Sequence, residues 1–231
     1  MNAQAQPPNG PYQVLSPGLR RAKVHSRSHQ RVVFALDGSG SILLENKAHD
    51  AIEATRGCCQ ELALPANKDA FEVALILFAD TARLIEPFQR PSSLIVRLDE
   101  LEAKLLGGGT NIAAALALAN EILCKATAEP TAADLRYVQP LNVLLSDGCH
   151  NEDGDPVVAA NKLKMTSDVL TVAFGSDADD EMLAAIATHQ LNVRCRNGAE
   201  LRRYFAQIGR TLTVTRAAGL SVSQAIGIPQ A

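Results

Sequence analysis

The sequence predicts an α/β fold: a doubly wound, mostly parallel six-stranded sheet of order 3-2-1-4-5-6, with strand 3 an antiparallel edge and helices on both faces. Two observations predict it. From Val32 onward, short apolar runs alternate with segments of helical periodicity, and those runs are continuously apolar, as strands covered on both faces are. At 231 residues and 47% hydrophobic composition, the chain can bury one large core, so a single domain with short tails is the expected organisation.

Each element follows from its local pattern. Val32-Val33-Phe34-Ala35-Leu36 is the first strand, and Ala48, Ile52, Thr55, Cys59 and Leu62 then recur at helical spacing until Pro65 closes the segment. Val73-Ala74-Leu75-Ile76-Leu77-Phe78 is the second strand. The run 82–88, made more polar by Arg83 and Glu86, returns from it as an edge hairpin strand. Leu94, Leu98, Leu101 and Leu105 keep helical spacing up to the breaker Gly107-Gly108-Gly109. Ile112, Leu116, Ala119 and Leu123 mark the next helix, and Leu141-Asn142-Val143-Leu144-Leu145 the fourth strand. A helix over 156–165, a strand over 169–174, a helix over 179–188 and a short strand, Val193-Arg194-Cys195, continue the alternation. Asn197 caps the last helix with Glu200 three residues on, and Leu201, Phe205, Ile208 and Leu212 supply its buried stripe.

The ends read differently. Residues 1–30 hold four prolines, Pro7, Pro8, Pro11 and Pro17, and a basic stretch from Arg20 to Arg27 without apolar periodicity, so they form a flexible leader ahead of a domain spanning 31–215. Beyond Arg216 no charged residue remains, and the glycine-containing tail 216–231 either packs as an extra strand or frays, with fraying the expected outcome.

Composition excludes several classes. The net charge of -3 carries no electrostatic footprint for nucleic acid, and six Phe, three Tyr and no Trp leave little for base stacking. No run approaches the roughly 18 apolar residues of a membrane span. The N-terminus lacks the apolar segment of a secretory signal, and five cysteines, with Cys58 and Cys59 adjacent, suggest neither a disulfide framework nor a zinc site, so a reducing cytoplasm is the expected compartment.

The chemistry lies in three polar loops: Asp37-Gly38-Ser39-Gly40-Ser41, Gly109-Thr110-Asn111 and Ser146-Asp147-Gly148. Asp37, Ser39, Ser41, Thr110 and Asp147 offer two carboxylates and three hydroxyls, an oxygen-only set suited to a hard divalent cation, Mg²⁺ first and Mn²⁺ or Ca²⁺ after it. Two carboxylates balance the ion's charge while hydroxyls complete its shell. Asp37 ends the first predicted strand and Asp147 the fourth, which are neighbours in the 3-2-1-4-5-6 order, at the point where helices leave to opposite faces and a crevice opens. Glu152, Asp153 and Asp155 follow closely but read as a solvated loop, and His150 and Cys149 as bystanders.

These three loops, in this order, resemble the metal-ion-dependent adhesion site (MIDAS) of the von Willebrand factor A domain family: Asp-x-Ser-x-Ser, then a distant Thr, then a distant Asp. The resemblance covers roughly 31–215. It implies the Rossmann-like fold of that family, hydroxyl ligands at Ser39, Ser41 and Thr110, carboxylates at Asp37 and Asp147 acting directly or through water, and an open metal position filled by a Glu or Asp from a protein partner. The stretch from Leu201-Arg202-Arg203-Tyr204-Phe205 to Thr215 is also similar to bacterial tellurite-resistance-associated A-domain proteins, which implies a stress-response or phospho-signalling cassette. An adaptor recruiting substrates to a ring-shaped, chelatase-type ATPase is the alternative the family offers; RNA binding and Mg²⁺-dependent hydrolysis are minor ones. Against catalysis, the chain has no GxxxxGK[ST] phosphate loop, no Asp-x-Asp in its first motif and no GxSxG nucleophile elbow. A non-enzymatic interaction module is therefore expected.

Overall fold

A computed structural model describes residues 28–101, 104–105, 107–128 and 135–225. The basic stretch of the leader and the last six residues of the tail lie outside the described residues.

β1 (Ser28–Asp37) is the axis of the sheet, because its apolar run is buried on both faces. Alternate side chains enter two cores, as the two-residue period of a strand requires. Val32, Phe34 and Leu36 pack with α1 (Lys47–Leu62), α2 (Pro91–Arg97) and α6 (Gly198–Ala218). Val33 and Ala35 pack with α3 (Ile112–Ala128), α4 (Pro156–Leu163) and α5 (Asp180–Ile186). β2 (Phe71–Phe78) and β5 (Leu141–Ser146) flank β1 in parallel, β3 (Ala82–Gln89) returns antiparallel on β2, and β6 (Asp168–Phe174) and β7 (Asn192–Cys195) extend the other side. The order β3-β2-β1-β5-β6-β7 is the predicted one. One element adds to it: β4 (Arg136–Tyr137), a two-residue strand that pairs with Ser28 and His29 at the start of β1. It is too short to carry a periodic signal.

Two expectations change. The helix expected through Leu105 stops at Arg97 and tightens into a 3-10 turn over Leu98–Glu100. Arg56 explains the change, since its guanidinium takes the Ile95 carbonyl at 3.0 Å and the Asp99 carboxylate at 2.7 Å, drawing the backbone off the helical ladder while Leu98 and Leu101 stay buried. The tail does not fray where it is described. α6 ends at Gly219, whose φ of 72° suits a left-handed cap, with the Leu220 amide bonding back to the Thr215 carbonyl at 2.9 Å. α7 (Val222–Ala225) then folds against β6, with Val222 buried and Ser223 donating from both its amide and hydroxyl to the Asp168 carboxylate.

The largest helix pairing is α1 along α6, closed above β1 by Phe34 stacked on Phe205 at 6.4 Å. Gly209 of α6 permits the approach: a Cβ there would stand 2.7 Å from Glu61 Cβ and 2.9 Å from the Cys58 carbonyl oxygen. Gly57 of α1 faces open space. Alanine at the two positions should therefore act with opposite signs. Gly57→Ala should stabilise by ~0.5–1 kcal/mol through helix propensity, and Gly209→Ala should destabilise by ~1–3 kcal/mol through overpacking; urea denaturation of each variant reads both.

All five cysteines are free, and three are buried: Cys58, Cys59 and Cys195. Burial pushes the Cys58 thiol well above its ordinary range and those of Cys59 and Cys195 up to about 12. Since the thiolate is the reactive form, a thiol reagent at neutral pH should label Cys124 and Cys149 quickly and the other three only after denaturation, as counted by mass spectrometry.

Candidate metal centre

The three polar loops meet at one rim of the sheet. Register brings them there: Asp37 pairs with Phe78 across β1 and β2, and Leu36 pairs with Leu145 across β1 and β5, so Asp37 and Ser146 end adjacent strands at one level. Ser146 donates its hydroxyl to Asp37 Oδ2 at 2.6 Å, and the Ser39 amide bonds Asp37 Oδ1 at 2.8 Å. That turn swings the next two hydroxyls inward. Ser39 Oγ lies 3.1 Å from Ser41 Oγ, and Ser41 donates to Asp147 Oδ1 at 2.8 Å.

The second loop reaches the same rim from the far side. The Gly107 amide bonds the Gly38 carbonyl at 2.9 Å and the Gly40 amide bonds the Gly108 carbonyl at 3.1 Å, lacing the first loop to the second. Gly108 is required, for it has φ 93° and a Cβ there would overlap the Asp80 carboxylate, which accepts from the Gly109 amide. The Thr110 amide donates to Asn151 Oδ1 at 2.7 Å, and the Asn151 amide returns a bond to the Thr110 carbonyl. Where a side chain on Gly148 would begin, Thr110 Oγ1 stands 3.4 Å away and Ser41 Oγ 3.5 Å away, so both hydroxyls border the space that this glycine leaves.

All five predicted site residues therefore converge. Asp37, Ser39, Thr110 and Asp147 are buried, and Ser41 is half-buried. Ligands at 2.0–2.1 Å around an octahedral ion stand about 2.9 Å apart, close to the 3.1 Å and 2.8 Å spacings found here. Among the described residues no group of three or more His, Cys, Asp and Glu side chains can hold a metal, so a cation at this rim depends on the hydroxyls. The donor set and its spacing fit a hard divalent ion.

Three neighbours have roles that spacing does not reveal. Lys47, the first residue of α1, donates from Nζ to Asp147 Oδ2 at 2.8 Å, with the two side chains 11% and 0% exposed. Burial lowers the lysine's pKa, but the hydrogen bond and charge of Asp147 outweigh it and the net shift is upward. His150, read as a bystander, braces the loops by accepting the Ile112 amide on Nδ1 at 3.3 Å and donating from Nε2 to the Gly154 carbonyl at 3.0 Å. Ser146 belongs to the third loop by sequence, but its bond to Asp37 shows only once the strands are in register. Asp155 leaves the rim altogether, capping α4 by accepting from the Val157 and Val158 amides.

A doubly wound α/β domain with a five-oxygen rim beyond the ends of β1 and β5 defines a class of divalent-metal-compatible binding domains. The model of the von Willebrand factor type A domain matches residues 32–205, and the chain belongs to that family. Domains of the family commonly mediate protein-protein interaction and can bind a metal at a MIDAS. Among solved structures, a von Willebrand factor type A protein from Catenulispora acidiphila shares 23% identity and a TM-score of 0.66, over 82% of this chain and 43% of its own. Proximal thread matrix protein 1 from the mussel byssus shares 18% identity and a TM-score of 0.68, over 83% of this chain and 49% of its own. A second structure of the mussel protein, described as having a zinc-occupied MIDAS motif, gives 20% identity and a TM-score of 0.64, over 83% and 48%. This chain thus spans about half the length of those proteins, and at these identities the likeness is one of fold. No curated protein matches the chain.

Burial pushes the Asp37 carboxyl up to about 6, against the opposing bonds from Ser146 and Ser39. A divalent ion competes with that proton. Apparent metal affinity should therefore be level above about pH 6 and fall as the pH drops below it, when Asp37 takes up its proton; calorimetric titration on both sides of that value measures it.

Proposed function

We propose that this chain is a non-enzymatic protein-interaction module whose divalent ion, Mg²⁺ first, is held by Asp37, Ser39, Ser41, Thr110 and Asp147 and receives a Glu or Asp side chain from a partner protein. The observation that carries the reading is the convergence of three hydroxyls and two carboxylates on one rim. When bound, the ion supplies a Lewis-acidic position for a carboxylate. The chain's own residues do the rest. Ser146 and the Ser39 amide fix the Asp37 carboxylate, Lys47 fixes Asp147, and Asn151 and His150 hold Thr110 and the Ile112 amide at the start of α3 against the third loop.

Leu43 and Leu44, two and three residues after Ser41, are 49% and 63% exposed, so the turn that follows the first loop presents apolar surface beside the polar rim. Such a mixture suits a protein partner better than a polyanion. Among the described residues no helix is long and apolar enough to cross a membrane. A cytoplasmic setting within a stress-response or phospho-signalling cassette, tellurite resistance included, is the context we infer from the resemblance over 201–215; kinase or phosphatase genes beside this one support it, whereas a ring-ATPase gene there favours the adaptor reading.

Asp37→Asn and Asp147→Asn keep the shape of each side chain and remove its charge. Each should weaken Mg²⁺ binding at least tenfold in calorimetry, and affinity purification should recover partners from wild-type protein in Mg²⁺ but not in excess chelator. Unchanged Mg²⁺ affinity in both variants overturns the metal site. Partners retained in chelator overturn the bridge.

A further inference from the structure

We propose that Lys47 is a built-in counter-ion of the metal centre, which holds metal affinity down and makes the loaded site selective for an anionic ligand. This rests on the metal-bridge reading above and adds to it a residue that lies outside the five-oxygen pattern.

The geometry lets the lysine and an ion share Asp147. Lys47 Nζ takes Oδ2 at 2.8 Å, while Oδ1 faces Ser41 Oγ at 2.8 Å on the side of the hydroxyls. The lysine therefore holds one oxygen of the carboxylate and leaves the other with the metal donors. The charge count follows. Asp37 and Asp147 contribute two negative charges and a divalent ion two positive, which cancel; Lys47 adds one more, so the loaded centre carries a net positive charge that one carboxylate neutralises.

The helix terminus opposes this placement of the lysine, and Asp147 holds it there. A cation at the first position of α1 opposes the helix dipole, and its ammonium is drawn from water into a buried pair. The turn that delivers it contains two successive non-glycine residues in the left-handed region, Glu45 at φ 53° and Asn46 at φ 62°. Strain of this kind is retained where the surroundings impose it. Glu45 and Asp177 also act on Lys47, but both are exposed and their charges are screened by solvent. Asp147 is the buried partner, so the lysine's charge acts on the metal rim.

The test uses the whole 231-residue chain, Mn²⁺ as the metal and acetate as the carboxylate, with Mn²⁺ affinity measured by calorimetry and acetate affinity then measured on the Mn²⁺-loaded protein. Lys47→Met should bind Mn²⁺ roughly tenfold more tightly, and its Mn²⁺-loaded form should bind acetate about threefold more weakly, because a close unit charge acts on the divalent ion more strongly than on the monovalent ligand and with opposite sign. Lys47→Gln keeps a hydrogen-bond donor for Asp147 without the charge and should repeat both changes; it also serves if the Met variant does not fold. A merely structural role moves both affinities together or neither. Wild-type protein that takes up no Mn²⁺ overturns the metal bridge and this inference with it. Wild-type protein that binds Mn²⁺ and, once loaded, acetate, joined to any pattern in the variants other than tighter metal with weaker acetate binding, overturns the role of Lys47 alone.

Discussion

The parallel ladder of β1 between β2 and β5 is the constraint on which the rest depends. Both faces of β1 are covered, so a shift of one residue would drive Phe34 and Leu36 out of the α1 and α6 layer and put Val33 and Ala35 in their place. The hydrophobic pattern thus sets the register, and the register sets the site. It brings Asp37 level with Phe78 on one side and beside Ser146 on the other, from which the hydrogen bonds of the first and third loops follow. The chemistry is placed by apolar burial some residues away from it.

Burial at the rim has an electrostatic consequence. Two carboxylates end adjacent strands within reach of the same hydroxyls, and in a low-dielectric setting their charge must be answered. Three kinds of group answer it in part: Ser146 and the Ser39 amide for Asp37, Ser41 for one oxygen of Asp147, and Lys47 for the other. Asp37 is the less completely compensated, which is why burial still dominates its proton affinity. A cation at the rim meets a demand that the hydrogen bonds leave.

Much of this was legible in the chain because its signals are local. Continuous apolar runs gave the parallel strands, four-three spacing gave α1, α3 and α6, and the order of the polar loops gave the five converging oxygens. What escaped depends on contacts between distant segments. The end of α2 is decided by Arg56, 39 residues before the carbonyl it takes; the tail is ordered by Asp168, 55 residues before Ser223; Lys47 is paired with a residue 100 positions later. For Lys47 a signal was present: a lysine at the start of an amphipathic helix, where the dipole favours an acid, marks a local conflict. Only the fold shows where the lysine points.

Several conflicts of that kind meet at one place. Two left-handed non-glycine residues in succession, a cation at a helix N-terminus, a carboxylate buried with its proton affinity raised and a glycine pressed against Asp80 all fall on the loops around one rim. Elsewhere caps and packing agree, Asn197 capping α6 with its side chain on the Glu200 amide and Asp179 doing the same for α5, while Asp69 and His189 are isolated left-handed residues and Asn142 is a polar side chain buried in β5. A sequence shaped only for stability would remove such conflicts, since each costs on the order of 1 kcal/mol or more. That four of them meet where five oxygens and one ammonium converge is the physical argument that the rim is held in place for a ligand as well as for the fold.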